Sequence, residues 1–123
     1  MGGSQHKAAV KALHQDLYLA ENWEGVPEMR DRSQEISYFE IEYHKNANIS
    51  IRSSHGNENY LSVQPDDALR FSSQKVHEKE LFRVCGYFQG RVCLRDYRDN
   101  LLVFGNDREL KIIPDSGIKS FLR

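Results

Sequence analysis

Lys11, Arg52 and Arg95 each close a short alternating stretch, in Ala8-Ala9-Val10-Lys11, Ile49-Ser50-Ile51-Arg52 and Val92-Cys93-Leu94-Arg95. Three residues beyond them stand His14, His55 and Arg98, in what read as the adjoining turns. Cations placed this way suit acidic protein surfaces or anionic lipid headgroups. They also suit an ordinary solvated face, because residues that alternate with core positions must meet water. Imidazoles titrate at about pH 6.5, so a pair at His14 and His55 offers a route to stronger binding under mild acidity, but the expectation is that they are turn-forming polar residues without a switch role. A third set, Arg30, Arg70 and Lys111, again follows an apolar residue in each case. Trp23, the single tryptophan, lies in the irregular segment Glu21 to Pro27 and is a candidate partner contact or an indole tucked against the fold. Tyr87 and Phe88 invite the same two readings.

Reaction chemistry finds no foothold. The chain has no glycine-rich phosphate loop, no nucleophile elbow and no His-Glu-x-x-His, and no enzyme activity or cofactor is expected. Glu40 and Glu42 alternate onto one outward strand face, which suits a solvated surface better than an acid–base pair. Cys85 and Cys93 do not have the spacing of a zinc site or the number of a disulfide framework. A hairpin symmetric about Gln89 sets them opposite each other on its outer face, a geometry open to an oxidised crosslink where the Cβ separation allows it, but two unpaired thiols are the expectation in a reducing compartment. Lys7 and Lys11 flank only a short Ala-Val stretch, which does not read as a secretory leader, so the expected location is cytoplasmic.

The elements that carry these residues repeat. Tyr18-Leu19, Tyr60-Leu61 and Leu102-Val103 follow the three alternating stretches. Each copy then reaches a phenylalanine, Phe39, Phe82 and Phe121, spaced 43 and 39 residues apart. Tyr38-Phe39-Glu40-Ile41-Glu42-Tyr43 and Leu81-Phe82-Arg83-Val84 alternate with a period of two, so Phe39, Ile41, Phe82 and Val84 should share an inward face. His55-Gly56-Asn57, Gln64-Pro65-Asp66-Asp67, Gln89-Gly90 and Gly105-Asn106-Asp107 are turn signals. No window holds a capped helical stripe. The expectation is an all-β chain, a β-trefoil of three four-strand units, because three propeller blades are too few and a sandwich leaves the threefold register unexplained. Residues 1–7 read as a flexible start or expression remnant, and 8–123 as one domain with copies at about 8–46, 47–90 and 91–123.

Ile49-Ser50-Ile51-Arg52-Ser53-Ser54-His55-Gly56, then Tyr60-Leu61-Ser62-Val63, and later Glu80-Leu81-Phe82-Arg83-Val84, resembles the repeat of the fascin and hisactophilin actin-binding proteins. The second copy matches throughout. The first matches at Lys11, His14 and Tyr18-Leu19 without the turn glycine, and the third keeps Val92, Leu94 and Arg95. The resemblance implies a non-enzymatic intracellular module that binds actin or another cytoskeletal protein, through a face carrying Lys11, His14, Arg52, His55, Arg95 and Arg98. Two other classes remain open. One is a receptor-binding ligand or inhibitor like the growth-factor and interleukin-1 trefoils, with Trp23, Tyr87 and Phe88 as contacts. The other is a carbohydrate-binding trefoil, which the single tryptophan supports poorly.

Composition narrows the field further. Of 123 residues, 39% are hydrophobic and 28% charged, which excludes a disordered chain, a collagen and a coiled coil. Net charge is −1, so the basic excess that drives non-specific nucleic-acid binding is missing. The longest apolar run, Leu101 to Phe104, is far below the roughly 20 residues of a membrane span.

Overall fold

Alternation puts Phe39 and Ile41 on the inner face of one strand and Glu40 and Glu42 on the outer, and the structure follows that pattern. The computed structural model describes residues 5–12, 16–31, 37–54, 58–88, 91–104 and 110–114. Among them are eleven strands, two single-turn 3-10 segments and no α-helix. The strands are β1 (Gln5–Ala8), β2 (Leu17–Glu21), β3 (Pro27–Asp31), β4 (Phe39–Tyr43), β5 (Asn48–Ser53), β6 (Tyr60–Val63), β7 (Leu69–Ser73), β8 (Phe82–Phe88), β9 (Arg91–Arg95), β10 (Leu101–Phe104) and β11 (Leu110–Ile113). The chain is all-β. Its first strand already begins at Gln5, inside the stretch that the sequence reads as a flexible start, because Gln5 to Ala8 pair with Glu42 to Phe39.

Every described pairing is antiparallel. One sheet runs β1-β4-β5-β8-β9-β10-β11, with β6 joined to β5 and β7 to β6, while β2 and β3 form a separate hairpin. The first hairpin is tied in by its neighbours: Leu19 N–H donates to the Val10 carbonyl at 2.7 Å, and Phe71 N–H to the Gly25 carbonyl at 2.8 Å. Phe39 and Phe82 are almost fully buried, Ile41 is buried, and Val84 packs against the same core, as the alternation predicts. The Phe39 and Phe71 rings stack, with centroids 5.3 Å apart. Leu61, at 0% exposure, and Leu19 bring β6 and β2 into that core.

Three turns share one hydrogen-bond set. In Asn22–Val26, the Asn22 N–H donates to the Val26 carbonyl at 3.0 Å, and the Gly25 N–H to the Asn22 carbonyl at 2.9 Å. Gln64–Ala68 and Asp96–Asn100 repeat both bonds at 2.8 and 2.9 Å. The fourth residue of each, Gly25, Asp67 and Asp99, has a φ of 82°, 68° and 69°, the left-handed region that glycine and aspartate tolerate best. Side chains lock the ends: Asn22 Oδ1 accepts from the Glu24 and Val26 N–H groups, and Asp96 Oδ1 from those of Arg98 and Asn100. A side chain at Gly25 would also meet the Phe71 carbonyl oxygen at 3.0 Å, so the turn needs glycine twice over.

Two features go beyond what the sequence leads one to expect. Cys85 and Cys93 are not free thiols but a disulfide, with Cα atoms 5.5 Å apart. The register between β8 and β9 shifts between Val84 and Gly86, and Gly86 rather than Cys85 stands opposite Cys93. A bulge therefore brings the two sulfurs together from positions that are not cross-strand partners. With a sequence separation of 8, the crosslink should stabilise the fold by about 2.5 kcal/mol through the unfolded chain. Urea titrations with and without dithiothreitol check this. An unchanged midpoint under full reduction would contradict it.

Glu80 is the second. It is buried, and its carboxylate accepts the Ser62 hydroxyl at 2.5 Å and the His77 N–H at 2.8 Å, tying the Glu78–Glu80 turn to β6. Glu80→Ala strands both donors, and stability should fall by about 2–3 kcal/mol. Glu80→Gln keeps a carbonyl oxygen and a reorientable partner for the hydroxyl, so it should lose less. Equal urea midpoints for the two variants would remove the carboxylate from this role.

Candidate functional site

The strands hold Lys11, Arg52 and Arg95 opposite Tyr18, Tyr60 and Leu101 respectively. Leu101 thus stands to Arg95 as Tyr60 does to Arg52, and Leu102 packs on the core as Leu61 does. The match to Tyr60-Leu61 is Leu101-Leu102, one residue earlier than the Leu102-Val103 pairing predicted. The third cation set lines up in two copies only. Arg70 pairs with Ser62 and Lys111 with Val103, each in the second pair of its hairpin, whereas Arg30 pairs with Tyr18, a full alternation farther from its turn. His14 and His55 lie outside the described residues, as do the side chains of Tyr87 and Phe88.

The arginines are engaged within the chain. Arg52 donates from Nε to the Glu58 carbonyl at 2.8 Å, lies 3.6 and 3.7 Å from the Glu40 and Glu58 carboxylates, and stacks over Tyr60 at 5.5 Å. Arg95 donates to the Asp99 carbonyl at 2.8 Å, and the Asp99 carboxylate also pairs with Arg83. Arg98 bonds Asp67 at 2.6 Å and Asp96 at 3.0 Å, joining the Asp96–Asn100 turn to the Gln64–Ala68 turn. The Asp67 hydrogen bond first, and that of Asp96 second, raise the Arg98 pKa further above its usual value, so this side chain stays charged at any working pH. Lys11 is exposed. Each described arginine of the predicted face is therefore accompanied by carboxylate, which weakens its pull on an acidic partner and makes it a brace for its own loop.

Trp23 is different. It occupies the second position of the Asn22–Val26 turn and is 92% exposed, the most open of the large apolar side chains described. The tucked reading of this residue is excluded. Its turn is held by Asn22 and docked on β7 through Gly25, so the indole stands on a fixed base.

The last residue of this turn, Val26, lines a feature that sequence reading missed. A cleft of about 380 Å³, open on one side, is lined by Val26, Pro27, Asp66, Asp67, Ala68, Leu69, Leu110, Lys111 and Ile112. It forms where β3, β7 and β11 converge. Most of its lining comes from residues that close a turn or begin the returning strand of a hairpin, and no pattern within one hairpin announces that three of them meet. Among the described residues, no group of three or more His, Cys, Asp or Glu could hold a metal, and no helix is long and apolar enough to cross a membrane. Neither the family models nor the curated proteins contain a match to this chain.

Proposed function

We propose that this chain is a β-trefoil binding module without catalytic activity, and that it engages a protein partner through the turn that carries Trp23. The observation that carries the reading is the indole itself. An exposed tryptophan on a braced turn, whose last residue Val26 lines a cleft of mixed polar and apolar character, has the residue type and rigidity of an interface hot spot. The trefoil assignment draws support from recurring pairings: first with fourth strand in β1–β4 and β5–β8, linking pairs β4–β5 and β8–β9, and hairpins β2–β3, β6–β7 and β10–β11.

The resemblance to the fascin and hisactophilin repeat makes filamentous actin the first partner to test. Saturable co-sedimentation of the full chain with filaments is the expected result, and no pelleting at any salt or pH would remove actin. Arg52→Gln should change that affinity by less than about threefold, because the charge it removes already faces Glu40 and Glu58. A larger loss would return the cationic face to the centre of the account.

One observation favours a second reading. The Cys85–Cys93 disulfide suits an oxidising compartment, and with it a receptor ligand or inhibitor of the growth-factor or interleukin-1 type. The same Trp23 turn would then meet a receptor.

A further inference from the structure

The β8–β9 hairpin is tied to the rest of the sheet at its base. Among the described residues, β5 pairs with β8 at Phe82 and Arg83, and β10 pairs with β9 at Arg95. Val84 and Leu94 come next and pack on the core. Beyond them the described pairings, Gly86 with Cys93, Tyr87 with Val92 and Phe88 with Arg91, join β8 and β9 to each other. Two strands without a third are marginal in water. The Cys85–Cys93 disulfide closes this outer half at its inner end. Cys85 is the extra residue of the bulge, and Cys93 stands opposite Gly86. The two cysteines are unequally placed, since Cys93 is exposed and Cys85 half-buried. Thiol–disulfide exchange requires a thiolate to reach one of the two sulfurs, so access selects which one is attacked.

From this arrangement we propose that the disulfide is a thiol-exchange site, that Cys93 is the residue a small-molecule thiol modifies, and that opening the bond loosens the outer half of the hairpin. The thiolate attacks Cys93 Sγ and forms a new S–S bond there. The Cys85–Cys93 bond breaks, and Cys85 leaves as a thiolate that takes up the proton shed by the attacking thiol. A second thiolate then attacks the small-molecule sulfur of the mixed disulfide, which releases the oxidised thiol dimer and leaves Cys93 to be protonated in turn. Two small thiols thereby give up two electrons, and the protein disulfide gains them. Once it is open, the β8–β9 ladder alone holds the outer half, and its opening becomes a local event that the core strands need not share. Tyr87 and Phe88 stand in that half, so the order of their segment follows the state of the disulfide. This goes beyond the binding-module reading and does not depend on it.

The test incubates the oxidised full chain with millimolar reduced glutathione, quenches with acid and maps the peptides by mass spectrometry. The trapped mixed disulfide should lie on Cys93, with Cys85 as the free thiol. Oxidised glutathione should modify Cys93 in Cys85→Ser about tenfold faster than Cys85 in Cys93→Ser. Amide hydrogen exchange then compares the oxidised chain with the chain reduced by dithiothreitol. The amides of 86–88 and 91–93 should exchange about tenfold faster after reduction, while those of β4 and β5 stay protected. Glutathione on Cys85 in equal or greater amount would overturn the proposal. So would a disulfide that resists glutathione until urea is added, or outer-hairpin amides equally protected in both states. Loss of protection throughout β4 and β5 on reduction would overturn it as well, because the crosslink would then be a staple of the whole fold.

Discussion

Phe82→Ala is expected to lower stability by about 3–5 kcal/mol, the largest loss from any single side chain considered. Phe82 has 0% exposure, opens β8, and stands opposite Ile49 of β5, where the β5–β8 pairing is made. Truncation removes the transfer energy of the ring and leaves a void that packed strands cannot fill. A fold of this size has about 5–15 kcal/mol in total, so the variant should approach the edge of folding. Urea unfolding measures it, with Tyr43→Ala as the control, since Tyr43 is 46% exposed and lies at the end of β4. If both variants shifted the midpoint equally, Phe82 would not be the core anchor described here.

Trp23→Ala should do the opposite. Its side chain contributes little to the fold, so stability should stay within about 0.5 kcal/mol of the unmodified chain. Partner affinity, in contrast, should fall about thirtyfold or more, the loss of about 2 kcal/mol that defines a hot spot. The asymmetry matters because a variant that loses binding while unfolding proves nothing about contact. Fluorescence anisotropy against labelled filaments gives the affinity, and a urea midpoint on the same preparation gives the stability. Retained affinity in Trp23→Ala would move the contact elsewhere. A collapsed midpoint would mean that the indole supports the fold.

What could be read from the sequence follows from how local each signal is. Phe39 and Ile41 were legible because period-2 alternation declares one buried face within a few residues. Gln64-Pro65-Asp66-Asp67 was legible as a turn because proline and aspartate prefer the dihedrals that a turn requires. The placement of Lys11, Arg52 and Arg95 at like positions came from spacing, and the cross-strand partners agree with it. Their chemistry did not come through. Asp67 and Arg98 are 31 residues apart in sequence, so only the folded chain brings them together. Glu80 reads as surface because a carboxylate is rarely buried, and it is buried because Ser62 and His77 satisfy it. A hairpin symmetric about Gln89 already sets Cys85 opposite Cys93, but neither the bulge between Val84 and Gly86 nor the bonded state of the two sulfurs is written in the local pattern. The cleft is the least local feature, since it belongs to three hairpins at once.

Whether the Trp23 turn itself touches the partner can be asked by photocrosslinking. Benzoylphenylalanine would replace Trp23 in one preparation and Arg52 in another, each irradiated with actin filaments. The account predicts a covalent adduct with actin from position 23 and little from position 52. An adduct from position 52 with none from position 23 would contradict it and restore the cationic face as the binding surface.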